Sequence, residues 1–170
     1  MALFRSALIA AGCLAAAAPS LPAQTAGSAA LGGLRAVTVL VEHTSPETIA
    51  AGVDTAALRL RAEAAVRRLG IRVLPAGARD SAAGVLYVNA FAATNEARDW
   101  YAAHVEVEVM QPVTIDRTPD ARLFATTWEA PVRLRVVRAA EVGGEVARVA
   151  DAMLDELAAA WTAANPAPAR

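Results

Sequence analysis

Residues 101–115, YAAHVEVEVMQPVTI, contain the sharpest alternation of apolar and polar residues in the chain. Val105, Val107 and Val109 point one way and the residues between them the other, which is the period of two that a β-strand produces. Residues 85–93, VLYVNAFAA, are apolar on nearly both faces, as expected of a central strand. A short polar stretch separates the two segments and predicts a hairpin.

Three more segments have the composition of strands, and each is bounded by Pro or Gly. The last is broken near Pro131, and its second half, VRLRVVR, alternates apolar residues with Arg133 and Arg135. The three segments are 36–43, 71–74 and 122–138, and the turn before the last lies at 118–121.

Two segments have the helical period of 3.6 residues. The first begins at Asp54, whose carboxylate can accept from the free N–H groups of the first turn, and ends before Gly70. The second begins at Val142, carries one apolar stripe, and ends at Asn165 and Pro166.

The element order is therefore β-α-β-β-β-β-α, an α+β fold with a mostly antiparallel sheet. Two helices can cover only one face of that sheet, so the valines of residues 101–115 are expected to face them. We expect Glu106, Glu108, Arg133 and Arg135 on the open face, where opposite charges pair weakly across strands. The element order, without any residue motif, is similar to that of the amino-terminal domain of TolB-like proteins and of CsgG-like domains.

The amino terminus has the three parts of a secretory signal peptide. Arg5 supplies the positive start, residues 6–18 form an apolar stretch, and Pro19 ends it. Ala23 offers a small residue at the cut, so we predict cleavage after it. The apolar stretch is too short to cross a bilayer, so no transmembrane segment is predicted. We expect a periplasmic or secreted protein.

Cys13 leaves an alternative open. The three residues before it loosely resemble the lipobox of bacterial lipoproteins, in which case Cys13 would carry acyl chains and tether the domain to a membrane. Cleavage after Ala23 is favoured, because the apolar run before Cys13 is short and Ala10 stands where Leu is usual.

These boundaries define the predicted organisation of the chain. We predict a signal peptide over 1–23, a flexible leader over 24–34, a single α/β sandwich domain over 35–165 and a loose tail over 166–170.

The composition argues against several classes of chemistry. Loss of the one cysteine with the signal peptide removes disulfides, thiol nucleophiles and Cys-ligated zinc. All 16 basic residues are arginine, and they are interspersed with 17 acidic residues, so no basic stripe for nucleic acid exists. No serine elbow, metal-binding motif or cofactor loop occurs, so we predict no cofactor, metal or catalytic residue and favour a protein that is not an enzyme.

A few residues are candidates for binding. His43 ends the first predicted strand and Glu47 follows it, and ligand sites in α/β domains often lie at carboxyl ends of strands. A solvated strand end is the favoured explanation. His104 alternates with Glu106 and Glu108, but neighbours on one face of a strand are about 6–7 Å apart, too far for one metal ion unless another strand contributes. An ordinary hydrophilic sheet face is favoured.

Other candidates are aromatic. Trp100, Tyr101 and Trp128 lie where aromatic side chains can anchor a partner or stack on a sugar, although packing at the rim of a sheet is the commoner role. Gly143 and Gly144 open the last helix, where free N–H groups could hold an anion. A flexible helix start explains the glycine pair equally well.

Three functions follow from these observations. The favoured one is an exported, non-catalytic protein of the bacterial envelope that binds a partner protein or serves as an accessory subunit. The second is a domain that binds a small molecule or glycan through Trp100, Tyr101 and Trp128. The third is a small hydrolase or metal enzyme centred on His43.

Overall fold

The computed structural model of the protein describes residues 27–42, 44–78 and 80–167. Helices and strands alternate in the first half, and a run of long strands is followed by one long helix in the second. The elements are β1 Ala36–Val41, α1 Pro46–Ala50, α2 Thr55–Arg68, β2 Arg72–Leu74, β3 Gly84–Thr94, β4 Trp100–Ile115, β5 Thr118–Glu129, β6 Arg133–Arg138, a 3-10 turn Ala139–Glu141 and α3 Val142–Ala164.

The fold is α+β as predicted, and the sheet is mixed: three of its five described strand pairings are antiparallel and two are parallel. Its strand order is β2-β1-β3-β4, and both β5 and β6 pair with the remaining edge of β4. β1 lies between two parallel neighbours, β2 and β3, whereas every pairing of β4 is antiparallel. The parallel pairings follow from the connections between the strands. Helices α1 and α2 return the chain to the end of the sheet at which β1 begins, so β2 runs in the same direction as β1, and the loop 75–83 returns it to that end again before β3.

The two long helices α2 and α3 form a layer on one face of the sheet, as predicted. Val105, Val107 and Val109 are almost fully buried beneath that layer. The caps of α2 are also confirmed. The Asp54 carboxylate accepts a hydrogen bond from the backbone N–H of Ala57 at 2.9 Å, and Gly70 follows the helix with a positive φ of 76°.

Helix α1 replaces part of the loop expected after the first strand. Pro46 lies in the first turn of α1, where a backbone N–H has no partner within the helix, so the missing N–H of proline costs nothing there. The Ser45 hydroxyl caps the helix by accepting a hydrogen bond from the N–H of Thr48. Thr48 is fully buried, and its hydroxyl oxygen lies 3.0 Å from the backbone N of Ala92 and 3.3 Å from the carbonyl O of that residue. Thr48 thus satisfies backbone groups of β3 at the point where β3 extends beyond β1.

Part of the predicted flexible leader is packed against the domain. Residues 27–29 form a helical turn, and Leu31 and Leu34 are buried in the core. The Asn165 side chain accepts from the N–H of Gly33 at 2.9 Å and donates to the carbonyl of Leu31 at 3.1 Å. Residues 27–34 are therefore anchored to the end of α3. The predicted signal peptide, Cys13 and residues 168–170 of the predicted tail lie outside the described residues.

Gly143 is required by a close approach of two backbones. A Cβ atom at this position would lie 2.2 Å from the carbonyl oxygen of Gly52, in the turn between α1 and α2. Gly144 has no such neighbour within 4 Å. Packing therefore explains the first glycine of the pair without an anion.

The predicted strand 122–138 is two strands whose side chains are out of phase. In β5, Trp128 lies opposite Val109 of β4, so a continuous strand would place residue 132 opposite Val105. In β6, Arg133 lies opposite Val105 instead. One extra residue is accommodated around Pro131, and a shift of one residue exchanges the two faces of the strand. The turn before β5 lies at residues 116–117, two residues earlier than predicted.

Candidate functional site

The phase shift at Pro131 reverses the predicted orientation of β6. Arg133 and Arg135 lie on the helix-covered side, where Arg133 pairs with Glu156 and Arg135 approaches Glu145 at 3.3 Å. Their expected place on the open face is therefore wrong. The prediction failed because it treated residues 122–138 as one strand with a constant alternation.

The open face of the sheet carries an exposed apolar surface in place of those arginines. Directly paired residues share a face, and Phe91 of β3, His104 of β4 and Leu134 of β6 form one row across the sheet. Val136 lies in the next row and Trp100 at the end of β4. We call Phe91, Trp100, Leu134 and Val136 the open-face patch; their exposed fractions are 46%, 42%, 61% and 66%.

Trp100 is held in place by an arginine. The Arg138 guanidinium carbon lies 4.8 Å from the centre of the Trp100 ring, within the range of a cation–π interaction. Arg138 is also the residue opposite Trp100 in the pairing of β4 with β6. The indole and the guanidinium thus contact each other at the aromatic end of the open-face patch.

A row of carboxylates lies beside the open-face patch. Glu106 and Glu108 are on the open face as predicted, and Glu129 of β5 lies directly opposite Glu108. Burial raises the pKa of the Glu108 carboxyl, a hydrogen bond from Thr126 opposes this, and the charges of Glu106 and Glu129 raise it further. Within the described residues, no arginine lies within 4 Å of these three carboxylates.

The described residues contain no group of three or more histidine, cysteine or acidic side chains placed to hold a metal ion. His104 lies between Phe91 and Leu134 in the sheet, so its neighbours across the strands are apolar.

The three predicted aromatic residues are not brought together. Trp100 and Tyr101 are consecutive in β4 and therefore lie on opposite faces, and Tyr101 is buried in the core. Trp128 lies opposite Val109, nine residues from Trp100 along β4, a separation of about 30 Å at the rise of a strand. A ligand of the size of a single sugar is too small to contact all three rings.

Trp128 lines a groove of about 710 Å³ between β5, α3 and the turn at Gly27. Glu129, Pro131 and Glu156 lie along the same groove. Only 8% of Trp128 is exposed, so little of the ring face is open for stacking against a ligand.

The other predicted site lies at the carboxyl end of β1. His43 lies outside the described residues, and Glu47 is exposed in the first turn of α1. A groove of about 340 Å³ nearby is lined by residues that include Glu42, Thr44 and Arg59. The Arg59 guanidinium donates to the carbonyl of Val39 at 2.6 Å, so this cation has a structural role in fixing α2 to β1.

The open-face patch contains residues that sequence reasoning did not select. Phe91, Leu134 and Val136 are ordinary apolar strand residues, and the alternation of VRLRVVR predicts that its apolar side faces the core. The only local signal for the reversal is Pro131, which marks the break but not the number of residues accommodated there.

The described helices include none with both the length and the apolar character needed to cross a membrane. No family model matches this chain, and no curated protein matches it. Among solved structures, a dodecamer of a PelC variant from Paraburkholderia phytofirmans is similar to this chain, with 14% identity, a TM-score of 0.35, and coverage of 77% of this chain and 87% of that one.

Proposed function

We propose that this chain is an exported, non-catalytic accessory domain of the bacterial envelope that binds a partner protein through the open-face patch. The single observation that carries the proposal is the patch itself. Four large apolar side chains are displayed together on a sheet face that no described helix covers. Scattered apolar residues are normal on protein surfaces, but contiguous ones mark interaction sites.

The character of the patch fits a protein partner. Tryptophan and phenylalanine are enriched in the centres of protein–protein interfaces, and carboxylates such as Glu106 suit the polar rim around such a centre. The stacking of Arg138 on Trp100 orders this side chain in advance, which lowers the entropy lost on binding.

Site-specific crosslinking tests the interface. Leu134 on the patch and Leu60 on α2 are both leucines, with exposed fractions of 61% and 65%, so they form a matched pair. A photoreactive amino acid at each position, in the full chain expressed in its own cells, should give a discrete adduct from position 134 only. The adduct is identified by mass spectrometry, and the partner is purified for a binary binding assay.

The binary assay provides the decisive result. Leu134→Ser should weaken binding by about tenfold or more, because burial of a leucine side chain contributes roughly 1.5–3 kcal/mol. Leu60→Ser should leave binding unchanged. Equal adducts from both positions, or a partner that binds Leu134→Ser as tightly as the parent, would refute the proposal.

Export is a separate part of the proposal, supported by residues 1–23. Mass spectrometry of the mature protein should find Gln24 as the first residue. A first residue of Cys13 with added acyl mass would instead support the membrane-tethered lipoprotein. An intact amino terminus in a cytoplasmic fraction would refute export altogether.

A further inference from the structure

β6 is an edge strand that borders the open-face patch. It pairs with β4 on one side, and no described strand pairs with its other side. No described strand satisfies the backbone groups on the outer side of this six-residue strand. Side chains satisfy some β6 backbone groups: the carbonyl of Leu134 accepts from the Arg135 guanidinium at 3.0 Å, and the N–H of Arg138 donates to the Glu141 carboxylate at 3.4 Å. An added strand would replace these side-chain partners. An extended segment can add to such an edge by main-chain hydrogen bonds, with specificity set by its alternating side chains.

The two faces of this edge differ in chemistry. Leu134 and Val136 are exposed on the open face, so an added strand would place apolar side chains beside them. On the other face lie Arg133 and Arg135, each with part of its side chain exposed. An added strand would place its alternate side chains beside these two guanidinium groups.

On the arginine side of the edge, the ion pairs contain more guanidinium groups than carboxylates. Arg133 pairs with Glu156, while Glu145 is shared between Arg135 and Arg148, so two carboxylates serve three guanidinium groups. The Nε–H of Arg133 is buried and has no hydrogen-bond partner. Acidic side chains on an added strand would complement this charge.

We infer that the edge of β6 binds an extended segment of a partner protein in which acidic and apolar residues alternate. The apolar residues extend the row that ends at Leu134, and the acidic residues face Arg133 and Arg135. This inference rests on the proposed function and names the binding mode and the chemistry of the partner.

A second copy of this chain fits the edge less well. Two β6 strands could pair antiparallel about a two-fold axis. If the axis passes through residue 134, Arg133 lies opposite Arg135 of the other copy. If it passes through residue 135, Arg135 lies opposite Arg135 of the other copy. If the axis passes through residue 136, Leu134 lies opposite Arg138 of the other copy. Each register sets like charges against each other or pairs a leucine with an arginine, which disfavours self-association.

Capped eight-residue peptides provide the test, with the purified full chain as the receptor. One peptide alternates valine and glutamate, a second has lysine in place of glutamate, and a third has the composition of the first with its glutamates in one block. Amide hydrogen exchange followed by NMR reports the site. The alternating acidic peptide should slow exchange in β6 by about tenfold at saturation, and the other two should have much smaller effects.

Charge variants test the role of the arginines. Arg133→Gln with Arg135→Gln should weaken binding of the acidic peptide about five- to tenfold, as expected from the loss of two cross-strand charge pairs. Arg72→Gln, in the edge strand β2 at the opposite side of the sheet, is the matched control and should not change binding. Should the double variant unfold, Arg135→Gln alone should still weaken binding by at least about twofold.

Several results would overturn the inference. Equal binding of the lysine peptide would refute the charge preference, and equal binding of the block peptide would refute strand addition. Slowed exchange outside β6 would show that the peptide binds at a different site. A concentration-dependent dimer that protects β6 without peptide would identify a second copy as the occupant. If the peptides bind without selectivity but position 134 still gives its crosslink, only this inference is refuted. If position 134 gives no crosslink, the proposed function is refuted.

Discussion

The two glycines that open α3 provide a sharp test of the packing. Gly143→Ala would introduce a Cβ atom 2.2 Å from the carbonyl oxygen of Gly52 and 2.9 Å from its carbonyl carbon. Ordinary contact between these atom types is at least about 3.2 Å, so either the turn or the helix must move by about 1 Å. Gly52 has a φ of 90°, a conformation that restricts how that turn can rearrange.

We expect Gly143→Ala to lower the free energy of unfolding and Gly144→Ala to raise it. Forcing extra atoms into a packed contact costs about 1–3 kcal/mol, and the contact here is with backbone, so we expect the upper part of that range. Alanine recovers up to about 1 kcal/mol of helix propensity, which leaves Gly143→Ala destabilised by about 1–2 kcal/mol. Gly144→Ala has open space around it and should gain about 0.5–1 kcal/mol.

Thermal unfolding followed by circular dichroism measures the difference. At about 3 °C per kcal/mol for a domain of this size, Gly143→Ala should melt roughly 5–9 °C below Gly144→Ala, with the parent between them. Urea unfolding gives the free energies directly and checks that the m-value is unchanged. Equal stabilities, or a more stable Gly143→Ala, would refute the close approach of the two backbones.

Three further substitutions test other contacts. Thr48→Val, which keeps the shape of the side chain but leaves the N–H and carbonyl of Ala92 without this hydroxyl, should cost about 1–3 kcal/mol in urea unfolding; no loss would contradict the role given to Thr48. Asn165→Ala should speed proteolytic cleavage within residues 27–34 and lower stability by about 1–2 kcal/mol, and unchanged cleavage would mean that other contacts hold this segment. Because burial and nearby carboxylates raise the pKa of Glu108 above 4.5, its ionised form destabilises the fold as the pH rises through that pKa. Glu108→Gln should therefore be more stable than the parent by roughly 0.2–1 kcal/mol near pH 7, with the gain vanishing near pH 4, and a gain independent of pH would contradict the assignment.

Local signals predicted much of the fold. The cap at Asp54, the glycine after α2 and the stripe of α3 each depend on residues close in the chain, so the sequence pattern contains the whole interaction. The alternation in β4 likewise predicted which valines are buried. Parallel pairing of β1 with β3 depends on where a loop returns the chain, and that is not encoded in the pattern of either strand.

The open-face patch was missed for a related reason. Each of Phe91, Leu134 and Val136 belongs to a strand whose apolar pattern was recognised, but the pattern alone does not state which face it occupies. That depends on pairing with β4, and the extra residue around Pro131 changes the pairing by one position. A prediction that treated Pro131 as the end of one strand and the start of another would have left both orientations of β6 open.

The two possible orientations of β6 differ in which side chains they bury. The opposite phase would turn Leu134 and Val136 toward α3, and burial of two such side chains is worth roughly 3–6 kcal/mol as an upper estimate. The observed phase instead packs Val137 against the core and gains the ion pairs of Arg133 with Glu156 and of Arg135 with Glu145, all with partly exposed side chains. Such pairs contribute about 0–1 kcal/mol each, and burial of a valine contributes at most about 1.5–3 kcal/mol, so the two phases differ by less than the burial of two side chains. Intramolecular stability alone therefore does not decide the phase of β6, and a partner that covers Leu134 and Val136 would favour the observed one.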